Sequence, residues 1–221
     1  MGNGWARLTG VTVSGALVVG WCTPQAVAVA RPPGDQVVID VVKVNGSGCR
    51  PGSAVTALSP DHLAFTVTYS RYSAVVGPAA ARKDAQKDCK LTLRISAPRD
   101  VTYAIARVDY RGFAQLAPGV TASQTAAYSF AGAGHAAAVE HDFAGPYSDD
   151  WQTGDEEPSA FEPCGKQRHL VIDTALTLHP GTSAPAETSI IAMDSTDATV
   201  KTTYRLLWKS CTVGHPNRVA P

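Results

Sequence analysis

An excess of charge of either sign is missing from this chain. Its 221 residues carry 19 Lys and Arg against 19 Asp and Glu. A balance this even gives no electrostatic case for nucleic acid or an anionic membrane as partner. Only two methionines occur, and no two cysteines lie within a few residues of each other, which excludes the usual structural zinc spacing. There is no G-x-S-x-G elbow, no H-E-x-x-H pair, no phosphate-binding glycine loop and no dinucleotide fingerprint. Absent motifs do not exclude catalysis, because catalytic sets assemble in space.

An apolar run occurs at the start. Arg7 precedes the mostly apolar Val11–Trp21, and Ala28-Val29-Ala30 is a small-x-small cleavage site. The run is too short and too interrupted for a membrane span. Residues 1–30 are read as a secretory signal, and residues 31–221 as one secreted domain. Trp21 before Cys22 argues against lipidation. Arg7 is the one charge in the signal, leaving 18 basic against 19 acidic groups, a net of −1. Removing Cys22 from five cysteines leaves Cys49, Cys89, Cys164 and Cys211. An even number in an exported chain reads as two disulfides. Three pairings are open, and Cys49–Cys89 with Cys164–Cys211 is the expected one.

Alternation with period two dominates the rest. Gln36–Val44 is rich in valine on both faces and predicts a strand buried on both. Val55–Leu58, Leu63–Ser70, Cys89–Ser96, Val101–Tyr110, Phe113–Leu116, Val120–Phe130, His135–Phe143 and Leu170–Leu178 follow. Ser189–Met193 and Val200–Ser210 predict a hairpin around Asp194-Ser195-Thr196-Asp197. Pro78–Asp88 has room for one or two helical turns. Residues 145–163 are acidic and read as a long loop, and the tail after about 212 as disordered. About ten short strands with almost no helix predict an all-β fold, a disulfide-stapled sandwich or related barrel.

Arg107, Asp109 and Arg111 share a face of one strand, roughly 6.6 Å between neighbours. They form the candidate binding site, with Asp109 between two guanidinium groups. The same three residues also describe a surface ion ladder of little energetic weight. Tyr110 points the opposite way. His135 and His141 lie about 20 Å apart, too far to share a metal. His141 and Asp142 face opposite ways and make no dyad. The carboxylates of 149–157 offer a weak calcium site, and a solvated loop is the better reading. Trp208, in line with Tyr204 and Leu206, reads as core rather than a sugar-stacking platform. Asn45–Ser53 holds three glycines, a proline and Cys49, which predicts a shaped, rigid turn.

Several motifs fall in a recognisable order: Asn45-Gly-Ser-Gly-Cys49, Leu58-Ser-Pro-Asp61, Phe65-Thr-Val67 and Arg82-Lys83 before Cys89. Asp109-Tyr-Arg-Gly112, Pro163-Cys-Gly165, Asp194-Ser-Thr-Asp197 and Trp208-Lys-Ser-Cys211 complete the set. Together they resemble the small secreted fungal and actinobacterial proteins grouped as domain of unknown function 4360. The spacing from Arg82-Lys83 to Cys89 is longer than in that pattern, and the acidic segment is this chain's own. The resemblance implies export, four cysteines and one compact domain; it supplies no reaction. The alanine-rich, lysine-poor composition points to an actinobacterial source. The expected role is a non-catalytic extracellular binding or structural module, acting as a monomer on a protein or cell-wall polymer. The alternatives are a hydrolase centred on Asp109 and a protease inhibitor presenting Asn45–Ser53. No cofactor beyond the weak calcium site is expected.

Overall fold

The structure, a computed structural model, describes residues 36–134, 138–156, 159–181, 187–193 and 201–211. The signal segment, His135, Asp194–Asp197 and the tail lie outside the described residues, as do the bounds of the domain at either end. Among the described residues there are twelve strands and one turn of 3-10 helix, Arg82–Asp84. No helix among them is long and apolar enough to cross a membrane.

The strands form two antiparallel sheets packed face to face, with no closed barrel. One sheet runs β1 (Val38–Asn45), β5 (Gln86–Ser96), β10 (Leu170–His179), β7 (Thr121–Phe130) and β8 (Val139–Ala144). The other runs β2 (Ala54–Leu58), β3 (Ala64–Tyr69), β12 (Thr202–Ser210), β6 (Val101–Leu116), β11 (Ser189–Ala192) and β4 (Ser73–Val76). Strand β9 (Tyr147–Glu156) pairs with β6 as well. The core is what strict alternation dictates. Cys89, Leu91, Leu93 and Ile95 of β5 and Leu170, Ile172, Leu176 and Leu178 of β10 are buried. They meet Phe65, Val67, Tyr103, Ile105, Tyr204 and Trp208 from the facing sheet. Trp208 is core as expected; its Nε1 donates to the His62 carbonyl at 2.9 Å.

Three sequence expectations are corrected. Strand β1 is not buried on both faces: among the described residues it is a sheet edge paired with β5 alone, and Val38 and Val42 are about half exposed. Residues 145–163 are not one long loop, because ten of them form β9. There Trp151 and Asp155 point inward, while Asp150, Gln152 and Glu156 face water. An acidic outer row is fully solvated on a strand, so composition alone did not distinguish it from a loop. The expected hairpin of residues 189–210 does not form between its two strands. Both pair with β6 instead, β12 along Val101–Asp109 and β11 along Phe113–Gln115. Sixteen residues of β6 are long enough to seat them end to end, with β9 on the other side.

A bulge decides which residues of β6 face out. Tyr103 and Ile105 point to the core. The register then shifts between Arg205 and Leu206, which oppose Arg107 and Ile105, so Ala106 is the extra residue. Beyond it the even positions Val108, Tyr110 and Ala114 are buried, and Arg107, Asp109 and Arg111 turn to the outer face.

Candidate functional site

A cavity lies beside the stapled turn. Both disulfides have the expected pairing, Cys49–Cys89 and Cys164–Cys211. Four hydrogen bonds also tie the turn to the start of β5. Gly48 N–H donates to the Asp88 carbonyl (2.8 Å) and Ser47 N–H to Asp88 Oδ1 (3.3 Å). Ser47 Oγ donates to Asp88 Oδ1 (2.5 Å) and accepts from Asp88 N–H (3.0 Å). Gly48 has to be glycine, since a Cβ there would collide with the ring of the buried Tyr72. Asn45, Ser47 and the tip Arg50–Gly52 are exposed, and the tip is closed by Ser53 N–H donating to the Arg50 carbonyl at 2.9 Å. Pinned in this way, the segment forms one wall of that cavity.

That wall borders a cleft of about 640 Å³, completed by the β3–β4 connection, the segment before β5 and Thr188. Arg50, Arg71 and Lys87 line it with a single carboxylate, Asp84. Asp84 is already committed: Lys87 Nζ lies 2.7 Å from Oδ1, and Ala81 N–H donates to Oδ2 at 3.1 Å. The Lys87 hydrogen bond, then the one from Ala81, holds its pKa below the ordinary aspartate value. Arg50 and Arg71 are exposed, and neither is in an ion pair among the described residues. Arg71 has φ of 75°, uncommon for a residue with a side chain. Its neighbours impose this: Tyr69 and Tyr72 are both buried and meet edge to face at 5.2 Å, so the short link between them leaves Arg71 in the cleft. Ser53 Oγ is buried on the cleft wall with no protein hydrogen-bond partner.

The sequence-predicted candidate is a flat patch on the outer face of the seven-stranded sheet. Arg107 Nε and Nη2 lie 2.8 and 2.7 Å from Asp109 Oδ1. Arg107 Nη1 also binds Glu156, and Arg205 Nε is 3.5 Å from Asp109 Oδ2. Arg205 came from β12 through register with Arg107, which strand-local spacing did not reveal. Arg111 stands exposed and outside these pairs. Hydrogen bonding from Arg107, and beyond it the positive charge of Arg107 and Arg205, holds the Asp109 pKa below 3.8 despite partial burial. The carboxylate thus stays ionised with both oxygens engaged by guanidinium groups, which suits an ion ladder better than a general acid or base. Because the folded pKa is depressed, the ladder's contribution exists above pH 3.8 and disappears as pH falls through the folded value. Asp109→Asn is expected to cost under ~1 kcal/mol at neutral pH. Urea titrations at several pH values should show that difference vanish on acidification; a difference that persists in acid would contradict the ladder.

A third constellation was missed. Asp155, with only 2% of its side chain exposed, accepts from Tyr110 Oη (2.7 Å) and Tyr128 Oη (3.0 Å) on Oδ2. His141 Nε2 is 2.8 Å from Oδ1. Strands β6 and β9 supply Tyr110 and Asp155 from one sheet; β7 and β8 supply Tyr128 and His141 from the other. Burial, then the Asp155 carboxylate, pushes the Tyr128 pKa well up, so its hydroxyl remains a donor. His141 thus has a carboxylate partner fourteen residues on, not its neighbour Asp142. Period-two spacing of Trp151, Thr153 and Asp155 was the available signal. Asp149, Asp150 and Glu156 of the same strand are exposed and lie apart from this buried cluster. Among the described residues no three His, Cys, Asp or Glu side chains gather as a metal site would need.

The chain is similar to one protein by sequence and, loosely, to two solved structures. It is 30% identical over 184 residues to a protein of Arthroderma benhamiae described as an uncharacterized secreted protein, a match covering 82% of this chain and 74% of the relative. Among solved structures, TmCBM61 in complex with beta-1,4-galactotriose aligns at 12% identity and a TM-score of 0.30, over 79% of this chain and 91% of that one. The enzymatically active domain of bacteriophage CBA120 tailspike protein 4 aligns at 11% and 0.28, over 80% of this chain and 20% of that one. Overlays this loose carry no argument about fold or ligand. Two disulfides and the secreted relative agree that the protein is extracellular. Residues 35–211 match the family described as a domain of unknown function, DUF4360, and the chain belongs to that family.

Proposed function

We propose that the protein is a non-catalytic extracellular binding module, and that the cleft beside Asn45–Ser53 is where it binds. The single observation that carries this reading is the cleft itself. It is large enough for a small ligand or one segment of a polymer, and its wall is fixed by a disulfide and four hydrogen bonds. A rigid wall lowers the ordering cost of binding. The other two polar constellations support the same reading by what occupies them. Asp109 is engaged by two arginines, and Asp155 is enclosed by three donors. The partner class expected is a cell-wall polymer or another extracellular protein.

Retention on cell-wall and polysaccharide fractions tests this. Ala79 is exposed at the cleft, so Ala79→Trp fills the opening without touching the core. The wild type is expected to be retained on at least one fraction and A79W to lose about tenfold or more of that affinity, roughly 1.4 kcal/mol. Equal retention of both proteins would remove the cleft from the reading.

A further inference from the structure

We propose that the cleft takes an acidic saccharide, a sugar unit bearing a carboxylate or phosphate, with Arg50 and Arg71 on the charge and hydroxyl side chains on the ring oxygens. This rests on the cleft being the binding site and names what that site would select.

Charge comes first. The lining holds three cations against one carboxylate, within a chain whose totals are equal. The one carboxylate and Lys87 neutralise each other at 2.7 Å, so the uncompensated charge is that of two arginines. A guanidinium presents a planar fork of donors that matches carboxylate and phosphate oxygens.

The second observation is the conformation of Arg71. A side chain at φ of 75° is held against a backbone preference worth of order 1–3 kcal/mol. Glycine would satisfy the same turn without that cost. What arginine adds there is a second cationic side chain in a lining that already holds Arg50.

Third, the remaining polar lining is hydroxyl. Ser53, Ser73 and Thr188 border the cleft. Hydroxyls both donate and accept, as a sugar requires. No aromatic residue lines the cleft. Trp151 and Trp208 are buried, so neither offers a face for ring stacking. Recognition of a neutral sugar by an aromatic platform has no counterpart here, which leaves charge and hydrogen bonds as the selecting forces.

The probe is trigalacturonate, with its fully methyl-esterified form as the uncharged control of equal length. Amide chemical shifts of the labelled full-length secreted protein report both site and affinity. Trigalacturonate is expected to move the signals of Arg50, Gly52, Ser53 and Arg71 and to weaken with added salt; the ester should bind at least tenfold more weakly. Arg71→Gly relieves the backbone and should fold at least as well, yet lose affinity about tenfold. Arg71→Lys should retain part of it. Equal binding of acid and ester at the cleft would overturn the acidic ligand and leave the cleft reading intact. Shifts confined to another surface would overturn both. No binding of either probe would overturn the acidic saccharide, and the wall-fraction result with A79W would then decide the cleft by itself.

Discussion

Replacing Asp155 with alanine is expected to cost about 3–5 kcal/mol of folding stability, the range for removing one partner of a buried charged network. Three donors converge on this carboxylate from β6, β7 and β8. Without it two tyrosine hydroxyls and an imidazole nitrogen lose their acceptor between the sheets, each at a desolvation cost of roughly 1–3 kcal/mol if unmet. Tyr128→Phe removes one donor and leaves the others, and should cost less, about 1–2 kcal/mol. Urea denaturation followed by tryptophan fluorescence checks both. A cost below 1 kcal/mol for D155A would show that the four side chains do not hold the sheets together. The contrast with Asp109 is deliberate chemistry: the same residue type with two guanidinium partners is worth little there, because that site faces water and water screens it.

Cys49→Ala with Cys89→Ala is expected to lower stability by about 4 kcal/mol, since the bridge closes a loop of 40 residues. The bridge does more than close a loop. Its Cys49 end is buried in the turn that walls the cleft, and the hydrogen bonds between Ser47, Gly48 and Asp88 lie next to it. The three Ser47–Asp88 bonds are exposed and should fray once the staple is gone. Ligand affinity is therefore expected to fall along with stability at temperatures where the variant is still folded. The companion bridge separates the two effects. Cys164→Ala with Cys211→Ala opens a loop of 47 residues and should cost a similar amount. It ties the end of β12 and lies apart from the cleft lining, so affinity should hold. Equal loss of binding in both double variants would mean that the Cys49–Cys89 bridge acts on binding only through global stability.

Much of the sandwich was legible because period two survives in the strands that carry the core. Leu91, Leu93 and Ile95, or Leu170, Ile172 and Leu176, announce their buried face without help. What was not legible depended on neighbours. Strand β9 looked like an acidic loop because its outward row is acidic, and only pairing with β6 shows that row to be a sheet face. Ala106 reads as an ordinary strand residue; its bulge appears once β12 is laid alongside. Arg205 joins Asp109 through that same register. The cleft was hidden for a related reason. Its wall, Asn45–Ser53, was conspicuous, but Arg71 and Thr188 reach it through tertiary packing, and nothing in Ser70-Arg71-Tyr72 declares a positive φ. His141 and Asp155 are separated by a corner between the two sheets, so a reading confined to one strand pairs the histidine with nothing.

Hydrogen–deuterium exchange of the wild-type protein with and without the wall fraction that retains it is the most direct test of the cleft as the binding site. Protection is expected to rise at residues 50–53 and 71–73 and to stay unchanged at 107–111 and 152–156. Protection that rises on the outer sheet face around Asp109 while 50–53 and 71–73 stay unaltered would contradict it.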